Sequence, residues 1–243
     1  MRNNFTQIIA LLSLISEAKD LLLRKCHFQI NKPKMKYQEM MIIVEILRRK
    51  KPQHCLEWGS GYSSLFFPRY LESAARWIAV EHNSDWDEKI KRLNDRPNTE
   101  FNLIKPNNFP WTDEHHDGAY ADLKDYIEFP KSLGVRFDFI LIDGQARKEC
   151  LTISRDILAS DGIIVLHNAN REYYHEALKY YRHQVLFYEG GIDNGLWVGS
   201  TNLNIEKVLD IKKHTQIWDT SNKLRRVRKS FYSLFRQSPA LSN

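Results

Sequence analysis

Residues 53–64 read Gln-His-Cys-Leu-Glu-Trp-Gly-Ser-Gly-Tyr-Ser-Ser, a short apolar run that reaches Glu57 and breaks into a loop carrying Gly59 and Gly61. The pattern from Tyr62 onward is that of a helix. Strand, glycine turn and helix N-terminus together make the nucleotide pocket of doubly wound sheets, because glycines let backbone approach a ligand closely. The dinucleotide fingerprint asks for a third glycine, and Ser64 stands in its place. Glu57 says more. A pyrophosphate gains little from a carboxylate beside it, whereas a ligand with an ammonium group gains a partner. The reading therefore moves from NAD towards S-adenosylmethionine (SAM), which carries an ammonium and a sulfonium. A second apolar run, Arg76-Trp77-Ile78-Ala79-Val80-Glu81, also ends on an acid. At the end of the second strand such an acid accepts hydrogen bonds from ribose hydroxyls.

The rest of the chain alternates. Strands are expected near 53–57, 76–81, 100–105, 137–143, 162–167, 184–189 and 195–200, with helices near 62–72, 85–93, 119–126 and 147–158 between the earlier ones. That order makes a parallel sheet with helices on both faces. The last two strands flank Gly190-Gly191-Ile192-Asp193-Asn194-Gly195, which leaves no room for a helix, so they form an antiparallel hairpin. The expected organisation is an N-terminal helical extension over 1–36, a domain over 37–201 and a C-terminal extension over 202–243.

The chain resembles the class I SAM-dependent methyltransferases over roughly residues 37–201, through Leu56-Glu57-Trp58-Gly59-Ser60-Gly61, Val80-Glu81-His82, Phe137 to Gly144, and Asp161 to Asn168. The resemblance implies a Rossmann-like α/β sheet of seven strands, mostly parallel and closed by an antiparallel hairpin. It implies SAM as methyl donor and S-adenosylhomocysteine as product. The implied cofactor contacts are Glu57, Trp58, Gly59, Ser60, Gly61, Ser63, Ser64, Glu81, His82 and Asp143. The strand ending Ile142-Asp143-Gly144, with Arg147 and Cys150 after it, looks like a subgroup of uncharacterised bacterial enzymes and plant polysaccharide O-methyltransferases. That subgroup implies a hydroxyl of a sugar or glycan as acceptor. Rival readings are N- or phenolic O-methylation of a small metabolite, and a SAM-binding module without turnover.

Methyl transfer from a sulfonium is an in-line displacement with a neutral leaving group, so the enzyme must mainly position the acceptor and receive its proton. Asp143, at the end of the fourth strand and across from Glu57, is the leading catalytic candidate; the alternative is a helix cap. His167 is read either as a general base, from its near-neutral ordinary pKa, or as a histidine hydrogen-bonded at a strand end. Arg147 lies one helical turn past Asp143 and is expected to pair with it or to hold an anionic acceptor. Asn168, Arg171 and Tyr173 follow the fifth strand and are expected at the acceptor side of the mouth. Catechol-type relatives bind magnesium through carboxylates at the fourth and fifth strand ends; here His167 replaces the second one and Ala146 a lysine, so no metal is expected. Residues 105–118, with two prolines and no periodicity, form a long loop at the carboxyl end of the third strand and are read as an acceptor lid. His115, His116 and Asp117 in it could be metal ligands, but adjacent loop histidines are read as solvated.

Three cysteines in 243 residues are too few and too scattered for a disulfide framework, which suits a cytoplasmic setting. Residues 220–243 hold Lys223, Arg225, Arg226, Arg228, Lys229 and Arg236 and no acid, so this stretch accounts for the entire net charge of +6. The neutral remainder argues against a nucleic-acid partner. From Asn222, Leu224, Val227, Phe231, Leu234 and Phe235 recur at helical spacing among the cations, a basic amphipathic pattern that suits peripheral contact with an anionic membrane. Residues 5–25 read as an amphipathic helix packing on the body or a partner, with a cleaved signal as the alternative. Oligomeric state is not legible.

Overall fold

The computed structural model describes residues 2–25, 31–190 and 194–236, with side chains placed over 7–19, 22–23, 31–190 and 194–226. Two helices, α1 (Arg2–Lys25) and α2 (Tyr37–Lys50), precede β1 (His54–Trp58). There follow α3 (Tyr62–Phe66), β2 (Arg76–Glu81), α4 (Ser84–Leu93), β3 (Thr99–Leu103), α5 (Tyr120–Ser132), β4 (Phe137–Ile142), α6 (Arg147–Ile157) and β5 (Leu158–His167). The chain ends with α7 (His175–Leu178), β6 (His183–Phe187), β7 (Leu196–Ser200) and α8 (Ile211–Arg236).

The seven strands lie in the order β3-β2-β1-β4-β5-β7-β6. The first five are parallel, and β7 runs antiparallel to both β5 and β6. The chain leaves β1 towards β2 on one side and returns to β4 on the other, which opens a crevice above β1 and β4. Register fixes that crevice: Trp58 pairs Ile142, and the Asp143 amide donates to the Trp58 carbonyl at 2.9 Å.

The period of two along each buried strand sorts side chains to opposite faces. Leu56, Trp58, Ile140, Ile142, Ile164 and Leu166 pack with Tyr126, Ile127 and Leu151 of α5 and α6. Cys55, Trp77, Phe139, Leu141 and Val165 pack with Ile42, Ile43 and Ile46 of α2. Trp218 of α8 joins this second face, its indole N–H donating to the Tyr188 carbonyl at 2.7 Å. Glu45 of α2 ties the start of α8, accepting from the Asp210 amide at 2.9 Å, Lys213 at 2.6 Å and His214 at 2.9 Å.

The structure lengthens several expected elements. Helix α5 runs on to Ser132 because Tyr126, Ile127 and Pro130 continue its buried side. Strand β5 begins at Leu158, before Gly162, with a register shift opposite Phe137 and Phe139. Helix α8 begins at Ile211 rather than near Asn222, since Ile217 and Trp218 supply its buried side. The tail residues Val227, Arg228, Lys229, Phe231, Leu234, Phe235 and Arg236 have side chains outside those described, as do Ile192 and Asp193 of the expected hairpin turn.

Candidate active site

A cleft of about 1070 Å³ opens at the carboxyl ends of β1, β2, β4 and β5. Its floor is the glycine loop. Gly59 has φ +90°, and a Cβ there would lie 2.3 Å from the Gly144 Cα, so two backbones cross with no space for a side chain. Gly61 is extended and fronts the cleft, where a Cβ would meet nothing closer than 3.6 Å. Trp86 of α4 closes this end, its indole N–H donating to the Ser60 carbonyl at 2.7 Å and its ring standing edge-on to Tyr62.

Glu57 is not where the sequence reading expects it. Strand alternation sends its side chain to the Cys55 face, where it is fully buried. Its carboxylate takes hydrogen bonds from the Ser63 hydroxyl, from the Ser64 hydroxyl at 2.5 Å and from the Trp77 indole at 2.8 Å. Burial pushes its pKa up to about 8 against those three donors, with Asp143 adding to the rise. Glu57 therefore braces the loop from beneath and does not line the cleft. Trp58 is likewise buried on the opposite face, donating to the Tyr126 carbonyl at 3.1 Å, and Ser64 is spent on Glu57 and on the Gly61 amide. These three expected ligand contacts are supports. Gly59, Ser60, Gly61, Ser63, Glu81, His82 and Asp143 do line the cleft. Glu81 holds its carboxylate there by accepting from the His82 and Asn83 amides, each at 2.9 Å.

Across the floor, Asp143 belongs to a charged relay. Its Oδ1 lies 2.7 Å from the His167 Nδ1, and the His167 Nε2 lies 3.3 Å from the Oε2 of Glu39, on the first turn of α2. Burial alone would strip the proton from this imidazole, but Asp143 and Glu39 outweigh it and raise its pKa to about 9. Burial likewise opposes ionisation of Asp143 and Glu39, and the imidazolium between them holds both below the usual carboxylate range. His167 is thus protonated at neutral pH, with both nitrogens donating. That charge leaves no lone pair for a general base and matches its other reading, a histidine hydrogen-bonded at a strand end.

Arg147 takes the first of its two expected roles, pairing with Asp143. Its guanidinium donates to the carbonyls of Gly144 at 2.8 Å, His167 at 2.7 Å and Asp143 at 3.1 Å, and to the Asn168 Oδ1 at 3.0 Å. It also reaches the Asp143 Oδ1 at 3.4 Å. Four hydrogen bonds and this ion pair engage most of the fork, so Arg147 clamps the ends of β4 and β5. With Oδ1 held by His167 and Arg147, the Oδ2 of Asp143 has no partner among the described residues.

The far wall was only partly foreseen. Arg171 lines it and donates to the hydroxyls of Tyr173 and Tyr174, each at 3.2 Å, while Asp117 lies 3.5 Å away. Tyr173 stands behind it, its ring stacked on His115 at 3.8 Å. Through these contacts, and through the Arg147 amide donating to Asp117 at 3.1 Å, the end of the 105–118 loop is fastened to the exit of β5. Burial raises the pKa of Asp117 although Arg147 and Arg171 oppose it. Among the described residues no group of three or more His, Cys, Asp or Glu side chains could hold a metal ion.

No family model matches the chain, and no curated protein matches it. Solved structures do. An O-methyltransferase from Bacillus cereus in complex with SAH is 15% identical, covers 82% of this chain and 100% of its own, and superposes with a TM-score of 0.54. The O-methyltransferase TomG from Streptomyces achromogenes, in complex with SAM, is 13% identical over 74% of this chain and 86% of its own, with a TM-score of 0.52. A methyltransferase-like protein from Silicibacter pomeroyi is 17% identical over 79% and 99%, with a TM-score of 0.51. The fold is a Rossmann-like methyltransferase fold.

Two contributions to the cleft of this methyltransferase fold went unread in the sequence. The segment between α1 and α2 supplies Lys32, Pro33, Lys34, Met35 and Lys36 to the wall facing Asp143. Lys36 is fixed to Glu189 and Asn194, each at 2.6 Å, whereas Lys34 is exposed and its charge helps hold Asp143 ionised. Glu39, on the first turn of α2, is the other. Its only local signal is its place three residues after Lys36, whose amide donates to it at 2.6 Å.

Proposed function

We propose that this protein transfers a methyl group from SAM to a hydroxyl of a sugar or glycan acceptor. The observation that carries the reading is the polarity of the cleft: bare glycine backbone between two carboxylates, Glu81 at one end and the open Oδ2 of Asp143 at the other. The cleft fits SAM. Glu81 accepts from the ribose, Gly59 to Gly61 leave space for the ligand, Trp86 and His82 line the far end, and Asp143 meets a cationic centre. When bound, SAM supplies a methyl group on a sulfonium that departs as a neutral thioether. Asp143 would then take a hydrogen bond from the acceptor hydroxyl, orient it and receive its proton through Oδ2 as the oxygen–methyl bond forms and the sulfur–methyl bond breaks. Such positioning is worth about 7–11 kcal/mol of a barrier. His167 and Arg147 keep that carboxylate ionised and still.

One observation favours a second acceptor class. With His167 protonated and Asp143 held as a weak base, the site suits a phenol or an amine, which needs less help in losing its proton. Calorimetry with SAM and with NAD tests the cofactor, and labelled-methyl transfer into fractionated lysate tests the acceptor. Replacing Glu81 by Ala should weaken SAM by about 1.5–3 kcal/mol, since a charged hydrogen-bond acceptor is lost. Binding of NAD and not SAM would sink the proposal. Label in small amines or phenols would select the second reading, and SAM binding without label in any fraction would leave a binding module. The cations of α8 are assigned to attraction towards an anionic surface, outside the chemistry.

A further inference from the structure

Helix α1 turns its apolar side outward. Ile9, Ala10 and Ser13 are buried on the body, where the Ser13 hydroxyl lies 3.3 Å from the Gln38 amide oxygen. Ile8, Leu11, Leu12, Ile15 and Leu22 stand between 45% and 63% exposed. Steps of three, four and seven place these five on one side of the helix. No acid occurs from Arg2 to Ser16, and Glu17 is engaged by the Arg225 guanidinium of α8. The body thus claims the small and polar side of α1 and leaves its leucines to a second surface.

The charge beside that stripe selects the surface. Helix α8 packs along α1, and residues from 220 onward carry the whole net charge of +6. Arg225 turns inward to Glu17 and Glu189, while Lys223 and Arg226 are exposed. A second copy docking through α1 would bring two such helices of like charge together. An anionic lipid surface attracts them, and an apolar stripe flanked by cations is the composition of a helix lying in a headgroup boundary. No helix among the described residues is long and apolar enough to cross a membrane.

We propose that α1 docks on the surface of an anionic bilayer, its Ile8–Leu22 stripe entering the headgroup boundary and α8 supplying the attraction. Glu17, on the body-facing side of the same helix, lines the cleft, so docking holds the cleft one helix diameter, roughly 10 Å, from the bilayer, within reach of lipid-borne acceptors. The acceptor clause rests on the methyl-transfer reading; the docking does not.

The test is sedimentation of the full chain with phosphatidylcholine vesicles, with and without phosphatidylglycerol, alongside calorimetry with SAM and light scattering of the protein alone. Binding is expected to the anionic vesicles only, and to weaken with salt. Leu11→Asp and Ile15→Asp should each lower it about tenfold or more, while the thermal midpoint and the SAM affinity stay at wild-type values. Leu11→Ser should give a smaller loss and serves if the Asp variant folds poorly. Absent vesicle binding, or binding that both variants keep, overturns the proposal. So does a concentration-dependent dimer that the same variants dissociate. A protein that binds vesicles but not SAM retains this inference and refutes the methyl-transfer reading instead.

Discussion

Asp143 owes its ionised state to two neighbours, and that dependence is open to measurement. Asn at this position keeps the shape and removes the charge. Turnover should fall about a hundredfold, as for a misplaced reactant, while SAM affinity changes far less. Unchanged turnover would reduce Asp143 to a structural residue. His167 makes a separate prediction through pH. A histidine with a folded pKa of about 9, against 6.5 unperturbed, contributes stability that is complete below pH 6.5 and lost as pH rises through 9. Asp143 and Glu39, depressed by the same imidazolium, contribute above the usual carboxylate range and lose that contribution in acid. Thermal melts should therefore show the midpoint falling between pH 6.5 and 9, and His167→Gln should flatten that part of the profile. A wild-type profile flat to pH 10 would mean that the relay is not charged as described.

At the scale of elements, the site depends on how closely the β1 and β4 loops cross. Gly59→Ala places a methyl group against the Gly144 backbone at a residue with φ +90°, and neither loop has a flexible side chain that can give way. It should destabilise the domain by about 1–3 kcal/mol and weaken SAM binding, read by denaturant titration and calorimetry. Gly61→Ala is the contrast. Its extended backbone and open surroundings accept the methyl group, so stability should hold while ligand affinity falls. Equal effects of the two on stability would show that Gly59 is not a crossing point.

For the whole molecule, α1 and α8 pack on each other as well as on the body. Arg225 bonds Glu17 and Glu189, and Ser221 and Trp218 are buried. A truncation after residue 219 therefore removes structure as well as charge. It should lower the thermal midpoint, whereas a truncation after residue 226 should leave it unchanged while deleting Arg228, Lys229 and Arg236. Identical melts for the two would place residues 220–226 outside the folded body. Strand alternation, the glycine loop, the acids ending β1 and β2 and the antiparallel hairpin were legible in the sequence, because each is written in local periodicity and turn chemistry over a few residues. Which acids face the ligand was not. Glu57 and Glu81 end adjacent strands with similar local patterns, yet Trp77, Ser63 and Ser64 converge beneath one, whereas the amides of His82 and Asn83 and the Ser60 hydroxyl hold the other at the cleft. Nor could a near-neutral ordinary pKa for His167 survive the approach of Glu39, which the chain brings from 128 residues away. The sequence by itself determined the order of elements and the place of the cleft. The tertiary structure decided which charges stand in it, because burial and pairing depend on neighbours distant in the chain.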